Sequence, residues 1–171
     1  MRTATFALFI GIAYVSAGLL GLVPAALFPP PADAPPTQVG VLYGYLLGLF
    51  PVNVLHTAVH LAIGAWGIAA WRRGTASSKG YARALAIFYG ALALLGVVPQ
   101  ANTLFGLLPI HGHDVWLHAG TAAAAGYFGW RTEVSVERRA GAETDRRTQP
   151  MLVANERRAG HSDRREPFSE V

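Results

Sequence analysis

Four long apolar segments dominate this chain of 171 residues and constrain its fold more than any other feature. A helix needs about 17–25 residues to cross a bilayer, and the segments that reach or approach this length are residues 6–28, 51–71, 81–98 and 114–130. Charged residues make up only 14% of the chain, against about 25% in a soluble domain. The segments predict an all-α integral membrane protein with four transmembrane helices in residues 1–130.

The positive charges predict how these helices are oriented. The connection at residues 72–83 carries four cations and no acid, whereas the connections at residues 29–50 and 99–113 contain no lysine or arginine. Short cytoplasmic loops of membrane proteins are enriched in lysine and arginine. We therefore expect a multi-pass protein of the plasma membrane, with the cationic connection and both termini in the cytoplasm.

The two halves of the apolar region resemble each other. GLLGLVP at residues 18–24 returns as ALLGVVP at 93–99, and GLFPVNVLH at 48–56 returns as GLLPIHGHDVWLH at 106–118. Both halves start on the cytoplasmic side, so the repeats are parallel and related by a pseudo-axis along the membrane normal. The prediction is a four-helix bundle of two parallel repeated hairpins. The proline-rich FPPPADAPPTQ is expected to form an extended, polyproline-like loop.

Polar residues interrupt the second and fourth apolar segments at helical spacing. Asn53, His56 and His60 share one face of the second helix, and Asp114 and His118 share one face of the fourth. Lipid penalises such side chains, so we expect them to face the bundle interior. Both helices enter from the outer side, which places His56 and His118 at matching depths.

Two physical roles suit these residues. In the first, His56 and His60 are adjacent ligands of a metal ion, completed by His118 and Asp114, because imidazole and carboxylate suit Zn, Cu, Fe or Ni. A variant uses one histidine from each helix as an axial ligand of haem iron. In the second, Asn53 and Asp114 are helix N-caps. The histidines then hydrogen-bond across the bundle and fix the helix register.

His111 and His113 precede the fourth segment within the sequence IHGHD. Two loop histidines beside an acid could bind a surface metal or sense pH, although loop histidines are more often solvated. The chain has no phosphate-binding loop and no metalloprotease or hydrolase motif. It also has no cysteine that could serve as a nucleophile or thiolate ligand. These features favour a protein without enzymatic activity.

Residues 131–171 differ sharply in composition from the apolar region. They hold nine arginines and eight acids, and balanced charge with few aromatic residues predicts a flexible, disordered, cytoplasmic polyampholyte tail. Its repeated arginine pairs could dock a cytoplasmic partner or anionic lipid headgroups. Because the tail is nearly neutral, no nucleic-acid partner is expected. The remaining candidate partners are the lipid bilayer and a second copy of the chain.

The stretches GLFPVNVLHTAVHLAIGAWGIAA and FGLLPIHGHDVWLHAGTAAAA resemble a known bacterial family over roughly residues 5–130. This family comprises small four-helix membrane proteins catalogued as domain of unknown function 4383. Its signature is similar to an N-x-x-H-x-x-x-H segment and a D-x-x-x-H segment, which fall here on Asn53, His56 and His60 and on Asp114 and His118. The resemblance implies a four-helix membrane fold, but it implies no activity because the family has none assigned.

Three functions are compatible with the sequence. The first is a non-enzymatic structural or regulatory membrane protein, without a cofactor, whose histidine cluster fixes helix packing. The second is a metal- or haem-binding redox or transport module with His56, His60 and His118 as ligands. The third is a small-solute or proton permease.

Overall fold

The computed structural model describes residues 2–131. Within this range the chain forms four helices, as predicted, together with a small sheet. The predicted tail lies outside the described residues, apart from Arg131. The helices are α1 (Thr3–Gly21), α2 (Val54–Arg72), α3 (Thr75–Gly96) and α4 (His113–Trp130).

The first helix is shorter than predicted. It ends at Gly21 instead of residue 28, and a 3-10 turn over Pro24–Ala26 and a two-residue strand, β1 (Leu27–Phe28), follow it. Pro24 has no backbone N–H to donate, and the residue before it, Val23, has extended backbone angles. The predicted end was wrong because the apolar run continues past the proline that stops the helix.

The third helix begins earlier than predicted, so most of the expected cationic loop is helical. α3 starts at Thr75 instead of residue 81, and only two residues separate it from α2. The hydroxyl of Ser78 donates to the carbonyl oxygens of Ala70 (3.1 Å) and Gly74 (3.0 Å). Gly74 has a φ of 94°, which glycine adopts readily. These features produce a tighter turn than the charge pattern suggested.

A three-stranded antiparallel sheet, which the sequence did not predict, leads into the second helix. Its order is β1-β2-β3, with β2 at Gly44–Leu46 and β3 at Phe50–Val52. Pro51 and Val52 were predicted to lie in the second helix, but they belong to the strand β3. The helix α2 begins only at Val54. Strands of two or three residues are too short to show an alternating pattern. Residues 29–43, which include most of the predicted polyproline-like loop, contain no helix or strand.

The sequence repeat is reflected in how the helices pack. The most extensive helix contacts join α1 to α2 and α3 to α4. A Cβ on Gly67 would lie 2.9 Å from the carbonyl oxygen of Ala7, and one on Gly129 would lie 3.4 Å from the carbonyl carbon of Ala82. Ala7 and Ala82 are 75 residues apart, as are the two VP dipeptides. Equivalent small residues therefore allow the same close approach in both hairpins.

The bundle exposes many large apolar side chains and buries several polar ones. Phe9, Ile87 and Leu94 are between 67% and 72% exposed, whereas Asn53 and Asp114 are buried. Among the described residues, α1 and α2 are the helices both long and apolar enough to cross a membrane. The helices α3 and α4 have comparable length but are less apolar, since they include cations, histidines and an acid.

Candidate metal centre

Asn53 caps the second helix and joins it to two loops. Its Oδ1 accepts a hydrogen bond from the backbone N–H of His56 (3.0 Å), so the predicted N-cap is confirmed. Its Nδ2 donates to the carbonyl oxygens of Val39 (3.2 Å) and Leu107 (2.8 Å). The residue is fully buried, and these bonds replace water. Asn53 therefore fixes the position of His56 relative to the loop that precedes α4.

Asp114 does not cap the fourth helix, and the prediction that it does was wrong. α4 begins at His113, and its N-cap is Gly112, which has a φ of 66°. A glycine tolerates this left-handed backbone, so the helix starts two residues earlier than an Asp114 cap would allow. Asp114 is buried in the first turn of α4, and neither carboxylate oxygen has a hydrogen-bond partner.

Three buried donor groups converge between α2 and α4. The Oδ2 atom of Asp114 lies 3.5 Å from Nε2 of His118 and 3.7 Å from Nε2 of His56. One donor atom from each residue lies within 4.8 Å of the others. Around a tetrahedral ion bound at about 2.0–2.1 Å, ligand atoms stand about 3.4 Å apart. In this His–Asp triad (His56, Asp114 and His118), the two distances to the carboxylate are therefore already close to the spacing of ligands around one ion.

Most polar atoms of the triad have no hydrogen-bond partner. They are Nδ1 of His56, both ring nitrogens of His118 and both carboxylate oxygens of Asp114. Each buried polar group left unpaired costs about 1–3 kcal/mol. Among the described residues, no hydrogen bond joins one histidine of the cluster to another. Bound cations are a known way to satisfy such groups.

Two backbone carbonyl groups lie near the ring of His56. The carbonyl groups of Pro51 and Pro109 lie close to this imidazole, and both prolines belong to the repeated GL-x-P motif. A carbonyl near one ring nitrogen favours the proton on that nitrogen and leaves the other free to bind metal. Nε2 is the nitrogen that faces Asp114, with 3.7 Å between Nε2 and Oδ2.

His60 lies one turn further along α2 and outside the triad. Its ring centroid is 4.4 Å from that of His56 and 5.1 Å from that of Tyr14. Both ring nitrogens of His60 are buried without a hydrogen-bond partner. The geometry thus brings together three of the four predicted metal ligands and leaves His60 in contact with one of them.

All four helices contribute to a closed ring of aromatic side chains beside the triad. Tyr14 of α1 contacts Tyr89 of α3 with ring centroids 5.3 Å apart, and Tyr89 contacts His118 at 4.9 Å. His118 in turn lies 6.1 Å from His56, and His60 completes the ring. The hydroxyl groups of Tyr14 and Thr121 are 3.2 Å apart and share a hydrogen bond. Sequence reasoning missed both tyrosines, although their separation of 75 residues equals that of the VP dipeptides.

The two loop histidines occupy different environments. His111 is buried, its ring centroid is 6.2 Å from that of Tyr45, and burial lowers the pKa of its imidazole. His113 is exposed as the first residue of α4, where it lines a shallow surface depression with Phe50 and Trp116. The expectation of a solvated histidine therefore holds for His113 and was wrong for His111.

Comparison with known proteins identifies the family. A protein-family model described as "Domain of unknown function (DUF4383)" matches residues 4–131. The chain belongs to this family. Neither a curated protein nor a solved structure matches the chain. The matched range of this DUF4383 protein runs from the first turn of α1 to the end of α4, and it therefore contains the whole His–Asp triad.

The triad of this DUF4383 protein fits a single transition-metal ion better than haem. Two imidazole nitrogens and one carboxylate oxygen are a donor set for Zn, Fe, Cu or Ni. For haem, Asp114 is an obstacle, because its Oδ2 lies within 3.7 Å of both Nε2 atoms. The rings of His60 and Tyr89 pack against the same imidazoles, which leaves no space for a macrocycle between them.

Proposed function

We propose that this protein is a multi-pass membrane protein that holds one transition-metal ion inside its helix bundle, on His56, Asp114 and His118. The observation that carries the proposal is the convergence of three buried donor groups whose polar atoms lack other partners. Buried charges and buried polar groups in proteins are paired or coordinate metals. A bound ion would give one donor atom of each of the three residues a partner.

The surface of the bundle supports insertion into a bilayer. Large apolar side chains such as Phe9, Ile87 and Leu94 cover the outside of the helices. Intramembrane polar residues usually face the interior of a bundle, as the triad does here. The cations Arg72, Lys79 and Arg83 lie near the ends of α2 and α3 that meet at the short turn, which favours a cytoplasmic location for that turn and for both termini.

The enclosure of the triad favours a resident ion over an ion in transit. Val52 and Ile110 lie next to the ends of α2 and α4 and are 1% and 0% exposed. The donor set would supply a Lewis acid or, with Fe or Cu, a one-electron redox centre. Three protein ligands leave at least one coordination position for water or a small ligand.

A structural role in helix packing is the second candidate, and Asn53 favours it. This residue joins α2 to the carbonyl oxygens of Val39 and Leu107, so polar side chains do fix helix position at this end of the bundle. The histidines differ from Asn53, because both ring nitrogens of His60 and His118 and the Nδ1 atom of His56 lack such partners. Helix packing therefore accounts for Asn53 better than for the triad.

Elemental analysis of the full-length protein tests the proposal. The protein is purified in detergent without chelator, exposed in turn to Zn²⁺, Cu²⁺, Ni²⁺ and anaerobic Fe²⁺, and freed of loose metal. We expect close to one equivalent of one metal in the wild type and in His113→Ala, an exposed histidine that serves as the matched control. We expect the ion to be absent from His56→Ala/His118→Ala.

Circular dichroism and size-exclusion chromatography separate loss of metal from loss of fold. A folded double variant without metal would support the triad as the site. If that variant does not fold, Asp114→Asn provides the same test, because the amide has the shape of the carboxylate and lacks its charge. A folded wild-type protein that retains none of the four metals would overturn the metal centre and favour helix packing.

A further inference from the structure

The non-helical chain at one end of the bundle has an unusually apolar surface. This outer cap consists of residues 22–53 and 97–112, which connect α1 to α2 and α3 to α4. Its exposed large side chains include Phe28, Val41, Leu47, Leu49, Phe105 and Leu107. Asp33 is the one charged residue in these two stretches. Contiguous exposed apolar surface of this kind usually marks an interaction site.

Two of these side chains are presented in a backbone conformation that bulky residues rarely adopt. Leu47 has a φ of 54° and is 58% exposed, while Phe105 has a φ of 60° and is 77% exposed. Left-handed backbone of this kind costs free energy for residues other than glycine, asparagine or aspartate. A large apolar side chain that projects outward at such a position is not explained by packing within the chain.

Leu47 and Phe105 occupy equivalent positions in the two repeats. Each directly precedes the glycine of a GL-x-P motif, and those glycines, Gly48 and Gly106, also have positive φ values of 73° and 89°. Each hairpin therefore presents one bulky apolar side chain at the tip of its outer loop. Because both repeats have this feature, a chance turn conformation in one loop does not explain it.

The lengths of the helices locate the cap relative to a bilayer. With a rise of about 1.5 Å per residue, the helices α1 and α2, of 19 residues each, are about 29 Å long. The hydrocarbon core is about 30 Å thick. Helices of this length cross the core and leave the outer cap at the level of the lipid headgroups. Trp116, in the first turn of α4, is 75% exposed, which suits the aromatic belt at a membrane interface.

We propose that Leu47 and Phe105 are paired interfacial anchors that hold the outer cap in the headgroup layer of the bilayer, over the metal centre. This inference rests on the membrane insertion of the proposed function. The apolar surface of the helices continues into the cap without an intervening charge, through Leu22 and Val23 after α1 and through Val97 and Val98 after α3. That continuity around separate helices favours lipid as the occupant over a second copy of the chain.

Single-cysteine fluorescence measures this location directly, because the chain has no cysteine of its own. A bimane label is placed at residue 47 or 105 of the full-length protein, which is reconstituted in phosphatidylcholine vesicles. A second pair of labels, at Val41 and Leu107, leaves both anchors in place in case the first pair disturbs the turns. Controls are labels at Ala32, beside Asp33, and at the exposed mid-helix residue Ile87.

The quenchers are aqueous iodide and phosphatidylcholine that carries a nitroxide near its headgroup. We expect the labels at residues 41, 47, 105 and 107 to be quenched severalfold less by iodide than the label at residue 32, which lies beside the one charged residue of the cap. We also expect the nitroxide lipid to quench these four labels strongly. Accessibility to iodide equal to that at residue 32 would overturn the proposal. Protection from both quenchers would also overturn it, because protein and not lipid would then cover the cap.

The label at residue 87 separates this proposal from the one on which it rests. If residue 87 is shielded from iodide while the cap labels are accessible, the protein is inserted and the interfacial anchors are disproved. If residue 87 is itself accessible, membrane insertion fails and the anchors fail with it.

Discussion

Tyr14 and Tyr89 hold equivalent positions in the two halves of the chain and contact each other inside the bundle, with ring centroids 5.3 Å apart. His56 and His118, which follow the two GL-x-P motifs, likewise face each other. The duplication therefore places matching side chains on the pseudo-axis between the hairpins. Asp114 breaks the symmetry, because it belongs to the longer IHGHD sequence, which has no counterpart in the first half. One carboxylate between paired histidines is the donor set of the metal centre that we propose.

Replacing His60 should have a different effect from replacing His118. His60 contacts His56 but is not one of the three converging donors. We expect His118→Ala to weaken metal binding by more than about 100-fold. Removing a residue that only supports a ligand costs up to about 100-fold in affinity, and removing the ligand itself should cost more. His60→Ala should stay within about 10-fold of the wild type. Competition with a chromogenic chelator measures both affinities. Equal losses in the two variants would restore His60 to the ligand set.

Asn53→Ala should destabilise the bundle by about 2–4 kcal/mol. The variant loses an N-cap, which is worth about 1 kcal/mol, and leaves the carbonyl group of Leu107 without the Asn53 donor, at about 1–3 kcal/mol. The carbonyl group of Val39 still accepts from the hydroxyl of Thr37. The free energy of unfolding in a detergent titration checks this value.

Asn53→Asp provides the matched control for that loss. The carboxylate can still accept from the N–H of His56, but it cannot donate to Val39 or Leu107. Its stability should therefore lie at or below that of Asn53→Ala, since the carboxylate would face two carbonyl oxygens. A wild-type stability for Asn53→Asp would show that the two bridging bonds contribute nothing.

The number of helices and the cap at Asn53 could be predicted because they depend on local sequence. Apolar length indicates a helix, and an asparagine before an apolar run is typical of an N-cap. The pairing of His56 with His118 could also be anticipated, because the repeat places both histidines after equivalent motifs. These features require no knowledge of how distant side chains are rotated.

The remaining features depend on backbone angles and side-chain directions that the sequence does not display. Asp114 is a typical capping residue, but the positive φ of Gly112 moves the start of α4 ahead of it. His60 has helical spacing with His56, yet its nitrogens do not join the triad. The short strands satisfy backbone groups in a segment whose apolarity had suggested a longer helix.

Gly64→Ala should loosen the contact between α1 and α2. A Cβ at this position would lie 2.6 Å from the backbone nitrogen of Val15 and 2.7 Å from the carbonyl oxygen of Gly11. Neither backbone atom can rotate away, so the helices must separate, at a cost of about 1–3 kcal/mol. Gly120→Ala is the matched control, because a Cβ there meets nothing within 4 Å. Unfolding titrations of the two variants should differ clearly, and an unchanged Gly64→Ala would contradict the close approach.

His111 should make the fold less stable in mild acid. Burial lowers the pKa of His111 below its usual 6.5, so protons bind the unfolded chain more readily than the folded one. His111 therefore leaves the free energy of unfolding unchanged well above the usual pKa of 6.5. As the pH falls below that value, His111 lowers the free energy of unfolding increasingly. His111→Gln should lose less stability than the wild type between about pH 7.5 and about pH 5.5. The exposed His113→Gln serves as the control. Parallel pH profiles for the wild type and His111→Gln would contradict the burial.

The proposed orientation predicts opposite labelling at the two ends of the bundle. Ala32, in the proline-rich stretch of the outer cap, and Ala76, in the first turn of α3, are both exposed. In whole cells, a membrane-impermeant maleimide should label Ala32→Cys directly and Ala76→Cys only after lysis, because Arg72, Lys79 and Arg83 favour the cytoplasmic side for their end. The cysteine-free parent chain provides the blank. The reverse pattern would show the opposite topology. The outer cap, and with it the end of the bundle nearest the triad, would then lie on the cytoplasmic face. Labelling of both positions in intact cells would instead contradict membrane-spanning hairpins altogether.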